Sequence, residues 1–154
     1  MSQKFTQICI PMQEHGATGE LFVSLILPLA RRWLASVVVV SDVDAVGPTR
    51  SDILAGANEV RVLPTEGYLD LLAQATQIVW ATLFFCPDAE SANQLRGEED
   101  YTESLSNSIF LARVVDATYF YIYFDGERPL DLEHPLFRGA QIKSLKLQEL
   151  EFPE

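Results

Sequence analysis

Apolar residues along this chain fall into short β-branched or aromatic blocks, separated by polar turns that carry glycine and proline. Residues 5–11, FTQICIP, predict a first buried strand. After the loop MQEHGATG, the apolar stretch from Glu20 to Ala35 predicts a helix. Thr18 stands at its N-cap position, Glu20 in its first turn, and Arg31 and Arg32 in its last turns, where the helix dipole favours each charge. Pro28 removes the hydrogen bond to the carbonyl of Ser24 and predicts a kink or a restart. Residues 37–41, VVVVS, have the look of a central parallel strand buried on both faces. Beyond a loop with Gly47-Pro48, the pattern predicts a short helix over 51–57, a strand over 59–63 and, after Pro64, a helix over 66–75. A buried strand, IVWATLFFC at 78–86, comes next and is ended by Pro87.

The second half changes character. The segment from Asp88 to Glu103 carries Asp88, Glu90, Glu98, Glu99, Asp100 and Glu103 against the single cation Arg96, and reads as a short helix with an exposed acidic loop. A helix is predicted over 102–115, with Leu105, Ile109, Ala112 and Val115 on one apolar stripe. Tyr119 to Phe124 is a strand, with Asp125-Gly126 as its turn. The two prolines of ERPLDLEHPLFRG mark an irregular surface loop. Residues 141–152 read as a last strand whose apolar phase shifts from Leu145/Leu147 to Leu150/Phe152, pointing to a bulge or a helical segment. Repeated strand–helix–strand alternation predicts an α/β fold: one domain over residues 1–154, a three-layer sandwich with a mostly parallel sheet and an antiparallel C-terminal edge.

Composition narrows the class. A chain of 154 residues buries roughly 68–70% of its unfolded surface and needs no disulfide or metal to hold together. The opening MSQKFTQICI lacks the basic and apolar regions of a secretory signal. The most apolar run, residues 21–30, falls short of the roughly 20 residues of a membrane span. A soluble, cytoplasmic protein is expected. Cys9 and Cys86 lie inside apolar runs and read as unpaired buried thiols in a reducing compartment. No Cys or His stands at metal-ligand spacing, so no zinc site is expected. The net charge of −11, from 22 acidic and 11 basic residues, repels phosphate backbones and disfavours direct nucleic-acid binding. It favours a basic partner surface over an acidic one.

Four patterns could carry chemistry. The loop His15-Gly16-Ala17-Thr18-Gly19 between a strand and a helix is where a nucleotide phosphate would sit, with Gly16, Thr18 and Gly19 as the cofactor-binding positions. Its spacing is Gly16-x-x-Gly19 rather than G-x-G-x-x-G, and Phe22 stands where a third glycine would permit close packing, so a tight turn with an N-cap is the simpler reading. In VVVVSDVDAV, Asp42 and Asp44 follow a buried strand. Over these ten residues the chain resembles the haloacid-dehalogenase-like phosphotransferases, whose D-x-D pair implies a nucleophile, an acid/base and a bound Mg²⁺. No lysine occurs between Lys4 and Lys143 to complete that family's set, which favours an acidic loop or weak cation binding by the two aspartates. His15 and His134 have no neighbouring Ser or Cys nucleophile, and G-x-S-x-G is absent. The run Glu98, Glu99 and Asp100 is a solvated loop that would steer a basic partner.

The most informative pattern is TYFYIYF. Tyr119, Tyr121 and Tyr123 share one face of a strand, while Phe120, Ile122 and Phe124 share the other. The phenols either lie under a helix or, on a strand near an edge, form a binding surface of large rigid area with polar tips. Asp125 and Glu127, with Asp131 and Glu133, would rim that surface and attract cationic side chains. The expected function is a non-catalytic acidic protein-binding module (an adaptor, assembly factor or inhibitor/immunity-type protein) docking a basic or Arg-bearing segment of a partner. It would need no cofactor and no membrane insertion. The alternative is a small nucleotide- or phosphate-ligand enzyme with its site at the strand C-termini around Gly16–Gly19 and Asp42/Asp44. A degenerate enzyme fold that kept its core and lost its site would combine the two.

Overall fold

A computed structural model describes residues 3–12, 16–95, 100–128 and 134–154. The first strand, β1 (Lys4–Pro11), leads into helix α1 (Gly19–Arg32) and strand β2 (Val37–Val46). A short helix α2 (Arg50–Ile53), strand β3 (Ala55–Pro64), helix α3 (Thr65–Leu72) and strand β4 (Gln77–Cys86) come after it. Two short helices, α4 (Ala89–Ala92) and α5 (Tyr101–Ser106), precede the hairpin β5 (Phe110–Val115) and β6 (Tyr119–Asp125). The chain closes with a 3-10 turn at Pro135–Gly139, strand β7 (Gln141–Lys146) and a second 3-10 turn at Leu147–Glu149.

The strands form one sheet in the order β3-β2-β4-β5-β6-β1-β7. Every adjacent pair is antiparallel, which overturns the mostly parallel sheet expected from the alternation of strands and helices. The crossovers themselves behave as expected, since α1 joins β1 to β2 and α3 joins β3 to β4, each time two strands running the same way. Between β1 and β2, however, lie β6, β5 and β4, and between β3 and β4 lies β2. Intervening strands of opposite direction turn what would have been a parallel sheet into an antiparallel one.

Both faces of the sheet are covered. On the first, Phe22, Leu25, Ile26 and Leu29 of α1 and Tyr68, Leu69 and Leu72 of α3 pack on Ile8, Val38, Leu83, Phe110, Ile122 and Phe124. The Phe22 ring meets Phe120 edge-on at 5.1 Å. Thr18 caps α1 as expected, its hydroxyl accepting from the Leu21 amide at 3.2 Å. The helix continues through Pro28 to Arg32, and beyond it Leu34, with φ of 55°, closes the turn while the Ala35 amide donates to the Ala30 carbonyl. On the second face a smaller cluster forms from Val39, Phe84, Leu111 and Tyr123 beneath Ala92, Leu95, Leu105 and the C-terminal Leu150 and Phe152.

The helix predicted over 102–115 is instead α5 followed by β5. All six residues of β5, FLARVV, are buried, as a strand packed on both faces demands, and a stripe at helical spacing cannot be told from such a run by periodicity alone. The phase shift near the C-terminus is the end of β7 and the 3-10 turn at Leu147–Glu149. Cys9 and Cys86 are unpaired thiols, as expected, but only Cys86 is buried while Cys9 is half-buried, and burial followed by the nearby Asp88 charge pushes Cys86 up to about 12. Among the described residues no helix is long and apolar enough to cross a membrane.

His134 is tied to two elements of the fold. Its Nδ1 accepts from the Leu136 amide at 3.1 Å, so the proton sits on Nε2, 3.2 Å from the Ser24 hydroxyl. Burial lowers its pKa below the ordinary 6.5. A depressed folded-state value means that its contribution to stability is complete above about 6.5 and is lost as pH falls through the folded pKa. An NMR titration should place the His134 midpoint below 6.5; a midpoint at or above that value would show that the neutral cap does not form.

Candidate functional site

Strand pairing lays two rows of side chains across the second face. One row is apolar for most of its length: Val39, Phe84, Leu111, Tyr123, then Gln7. The adjacent row is polar: Ser41 beside Thr82, Thr82 beside Arg113, Arg113 beside Tyr121, and Tyr121 beside Cys9. Arg113 is the only charged residue of β5 and is 0% exposed. Its guanidinium lies 5.3 Å from the Trp80 ring centroid and 4.9 Å from that of Tyr101.

The aromatic frame extends outward from these two rings. Tyr101 stacks on Phe152 at 4.8 Å, Phe152 lies 5.1 Å from Tyr123, and Tyr123 stacks on Tyr121 at 6.0 Å. The C-terminal segment is held over the sheet at Glu151, whose carbonyl accepts from the Tyr123 hydroxyl at 2.7 Å and whose amide donates to Gln7 at 3.2 Å. Trp80 and Tyr101, together with Asp42 and Glu154, line an open depression of about 330 Å³. Asp42 reaches it from a bulge in β2, where its φ of 49° interrupts the register between Ser41 and Asp44.

Hydrogen bonding sets this place apart. Among the described residues, seven buried side-chain polar atoms have no hydrogen-bond partner, and five of them are here: Nε and both terminal nitrogens of Arg113, Nε1 of Trp80 and the hydroxyl of Ser41. The other two, on Trp33 and Thr65, are dispersed elsewhere. Thr65 lines a second depression of about 260 Å³ beside the exposed Arg31–Glu66 ion pair, which holds no buried charge. The two rings beside Arg113 answer its charge with about 2 kcal/mol each when desolvated, but they do not satisfy its N–H edges. Each buried unsatisfied donor costs about 1–3 kcal/mol, more when charged, so the deficit over three nitrogens is at least comparable to that gain.

The neighbouring phenols register the same field. Burial raises the pKa of Tyr123 above the ordinary tyrosine value, and the charge and the side-chain contact of Arg113 partly oppose it. Burial, then contact with the Cys9 thiol, pushes Tyr121 up to about 12. Both phenols are therefore neutral near pH 7, and neither supplies the negative charge that the guanidinium lacks. A carboxylate or phosphate brought to Arg113 would meet strong charge-assisted donors in a largely dry, aromatic setting.

The patterns singled out in the sequence are distributed differently. Strand β6 is an interior strand, flanked by β5 and β1, so the tyrosine stripe does not lie at an edge. Tyr123 is fully buried, Tyr121 half-buried, and Tyr119 is 40% exposed. Asp125 and Glu127 sit at the far end of β6 from Tyr119, where Asp125 accepts from Gln3 and from the Glu127 amide. The stripe and its acidic rim are thus not one patch, and Asp131 and Glu133 lie outside the described residues.

The glycine loop is occupied by its own fold. The Ala17 amide donates to Ala117, the Thr18 amide to Gly16 and the Gly19 amide to Ala75, which leaves none of the three for a phosphate. Asp42 and Asp44 lie within β2 rather than beyond a parallel strand's C-terminus, and Asp44 faces Arg50 at 3.9 Å. Among the described residues no group of three or more His, Cys, Asp or Glu could hold a metal ion. His15, Glu98 and Glu99 lie outside the described residues, and Asp100 caps α5 through the Glu103 amide.

Sequence reasoning missed Arg113 because it stood on a supposed amphipathic helix. The available signal was a lone arginine inside the apolar block IFLARVV. Comparison with family models, with curated proteins and with solved structures finds no match to this chain.

Proposed function

We propose that this chain is a non-catalytic binding module that receives an anionic group of its ligand on Arg113. The observation that carries this reading is the gathering of five unpartnered polar atoms, three of them on one buried guanidinium that lies against Trp80 and Tyr101, two of the residues lining the depression. Buried polar groups are ordinarily satisfied, so an exception of this size at one place calls for a partner from outside the chain. The phosphotransferase alternative loses its support, because a parallel sheet's C-terminal edge was its premise and the sheet is antiparallel.

Thermal unfolding of the whole chain tests the proposal. At fixed ionic strength, sodium benzoate or sodium phosphate should raise the melting temperature saturably, because a ligand that binds only the folded state stabilises it in proportion to the logarithm of its saturation. A midpoint indifferent to both anions, with chloride as the reference, would sink the reading.

A further inference from the structure

Given the anion-binding role proposed for Arg113, on which this selectivity rests, the chemistry around the guanidinium also chooses among anions. We infer that the group received there is the carboxylate of a small planar aromatic acid, with its ring set against Trp80 and Tyr101.

Three features of the site lead to that class. The guanidinium carbon lies within 5.3 Å of the Trp80 and Tyr101 ring centroids, and the two parallel N–H donors of a guanidinium match the two oxygens of a carboxylate. The indole Nε1 of Trp80 is a further unpartnered buried donor beside it, and the Ser41 hydroxyl, two strands away in the same row, is another. Asp42 and Glu154 line the same depression, in a chain of net charge −11. Carboxylates there repel a phosphate dianion about twice as strongly as a monocarboxylate, since Coulomb energy scales with the charge brought in.

Shape gives the rest. The depression, at about 330 Å³, is at the small end of ligand pockets, which run from about 300 to 1,000 Å³. Its lining is the Trp80 indole, the Tyr101 phenol with Phe152 stacked against it, and the side chains of Asp42 and Glu154. Flat rings gain from offset or edge contact with such walls beyond their buried area. A compact acid with one ring uses both the donors and the walls, whereas acetate uses only the donors.

The whole chain can be probed with benzoate, acetate and inorganic phosphate while the indole N–H signals are followed by NMR. Trp33 packs on Phe110 and Phe124 across the opposite face, so its signal is an internal control, and Trp80→Phe assigns the pair. Benzoate should move the Trp80 signal saturably, leave that of Trp33 in place, and bind roughly tenfold more tightly than acetate or phosphate. Phosphate binding at least as tightly as benzoate would overturn the carboxylate assignment while leaving the anion-binding module standing. Acetate matching benzoate would overturn the aromatic part alone. Failure of all three probes to move Trp80, or identical shifts in Arg113→Met, would overturn both the inference and the function on which it rests.

Discussion

Replacing Arg113 by Met is expected to make the ligand-free protein more stable, by about 1–4 kcal/mol, while abolishing its response to anions. The direction is unusual, because most substitutions at fully buried positions destabilise. Met is unbranched, adapts to irregular gaps and keeps favourable contact with aromatic rings, so it can lie between Trp80 and Tyr101 where the guanidinium lay. It also removes the three unpartnered nitrogens at once. For a domain of this size each kcal/mol moves the melting temperature by about 2–4 °C. Urea unfolding of both proteins gives the comparison directly. Loss of several kcal/mol in Arg113→Met would mean that the guanidinium is a structural element, with its donors satisfied in the folded chain.

Gly19→Ala should act in the opposite direction and cost about 3 kcal/mol, at the upper end of overpacking penalties. On helix propensity alone the change favours α1 by roughly 1 kcal/mol. The added Cβ, however, would overlap the carbonyl of Leu72 and come within 2.9 Å of the Ala75 carbonyl and 3.0 Å of its amide. Those atoms are backbone at and just beyond the end of α3, where the Ala75 carbonyl accepts from the Gly19 amide and the Leu72 carbonyl from the Ala75 amide, and they cannot swing aside as a side chain would. The substitution therefore separates two roles of this glycine. A denaturation midpoint at or above that of the natural chain would show that α1 and the end of α3 are less closely fitted than the structure has them.

That fit also explains why the loop at Gly16–Gly19 resembled a phosphate cradle. Glycine serves either to bring backbone near a ligand or to bring it near other backbone, and the residue types alone do not distinguish these. Local features of the chain were legible: β1, the cap at Thr18, the helix α1 and the strand β4 all follow from short-range patterning and end chemistry. The sheet's direction was not legible, because it depends on which distant strands enter between β1 and β2. The hairpin β5–β6 in particular was hidden, since its first strand carries apolar residues on both faces and mimics a helix stripe. The tight connection between its strands, with positive φ at Asp116 and Ala117, has no glycine to announce it.

The candidate site shared that fate. Tyr121 and Trp80 lay in segments correctly read as strands, but their meeting around Arg113 needed the register of β4, β5 and β6. The tyrosine stripe was visible in the sequence. Its division into a buried end at Tyr123 and an exposed end at Tyr119 follows from the cover of the C-terminal segment, which no local pattern records.

The central claim is that Arg113 is kept buried for an anion rather than for the fold. The most direct measurement is the difference in unfolding free energy between the natural chain and Arg113→Met as sodium benzoate is raised at constant ionic strength. Without benzoate the variant should be the more stable. With increasing benzoate the natural chain should gain, by about 2.7 kcal/mol at a hundredfold excess over its dissociation constant, while the variant stays level, so that the gap closes or reverses. Two lines that remain parallel across the titration would contradict the claim and return Arg113 to the role of a structural residue.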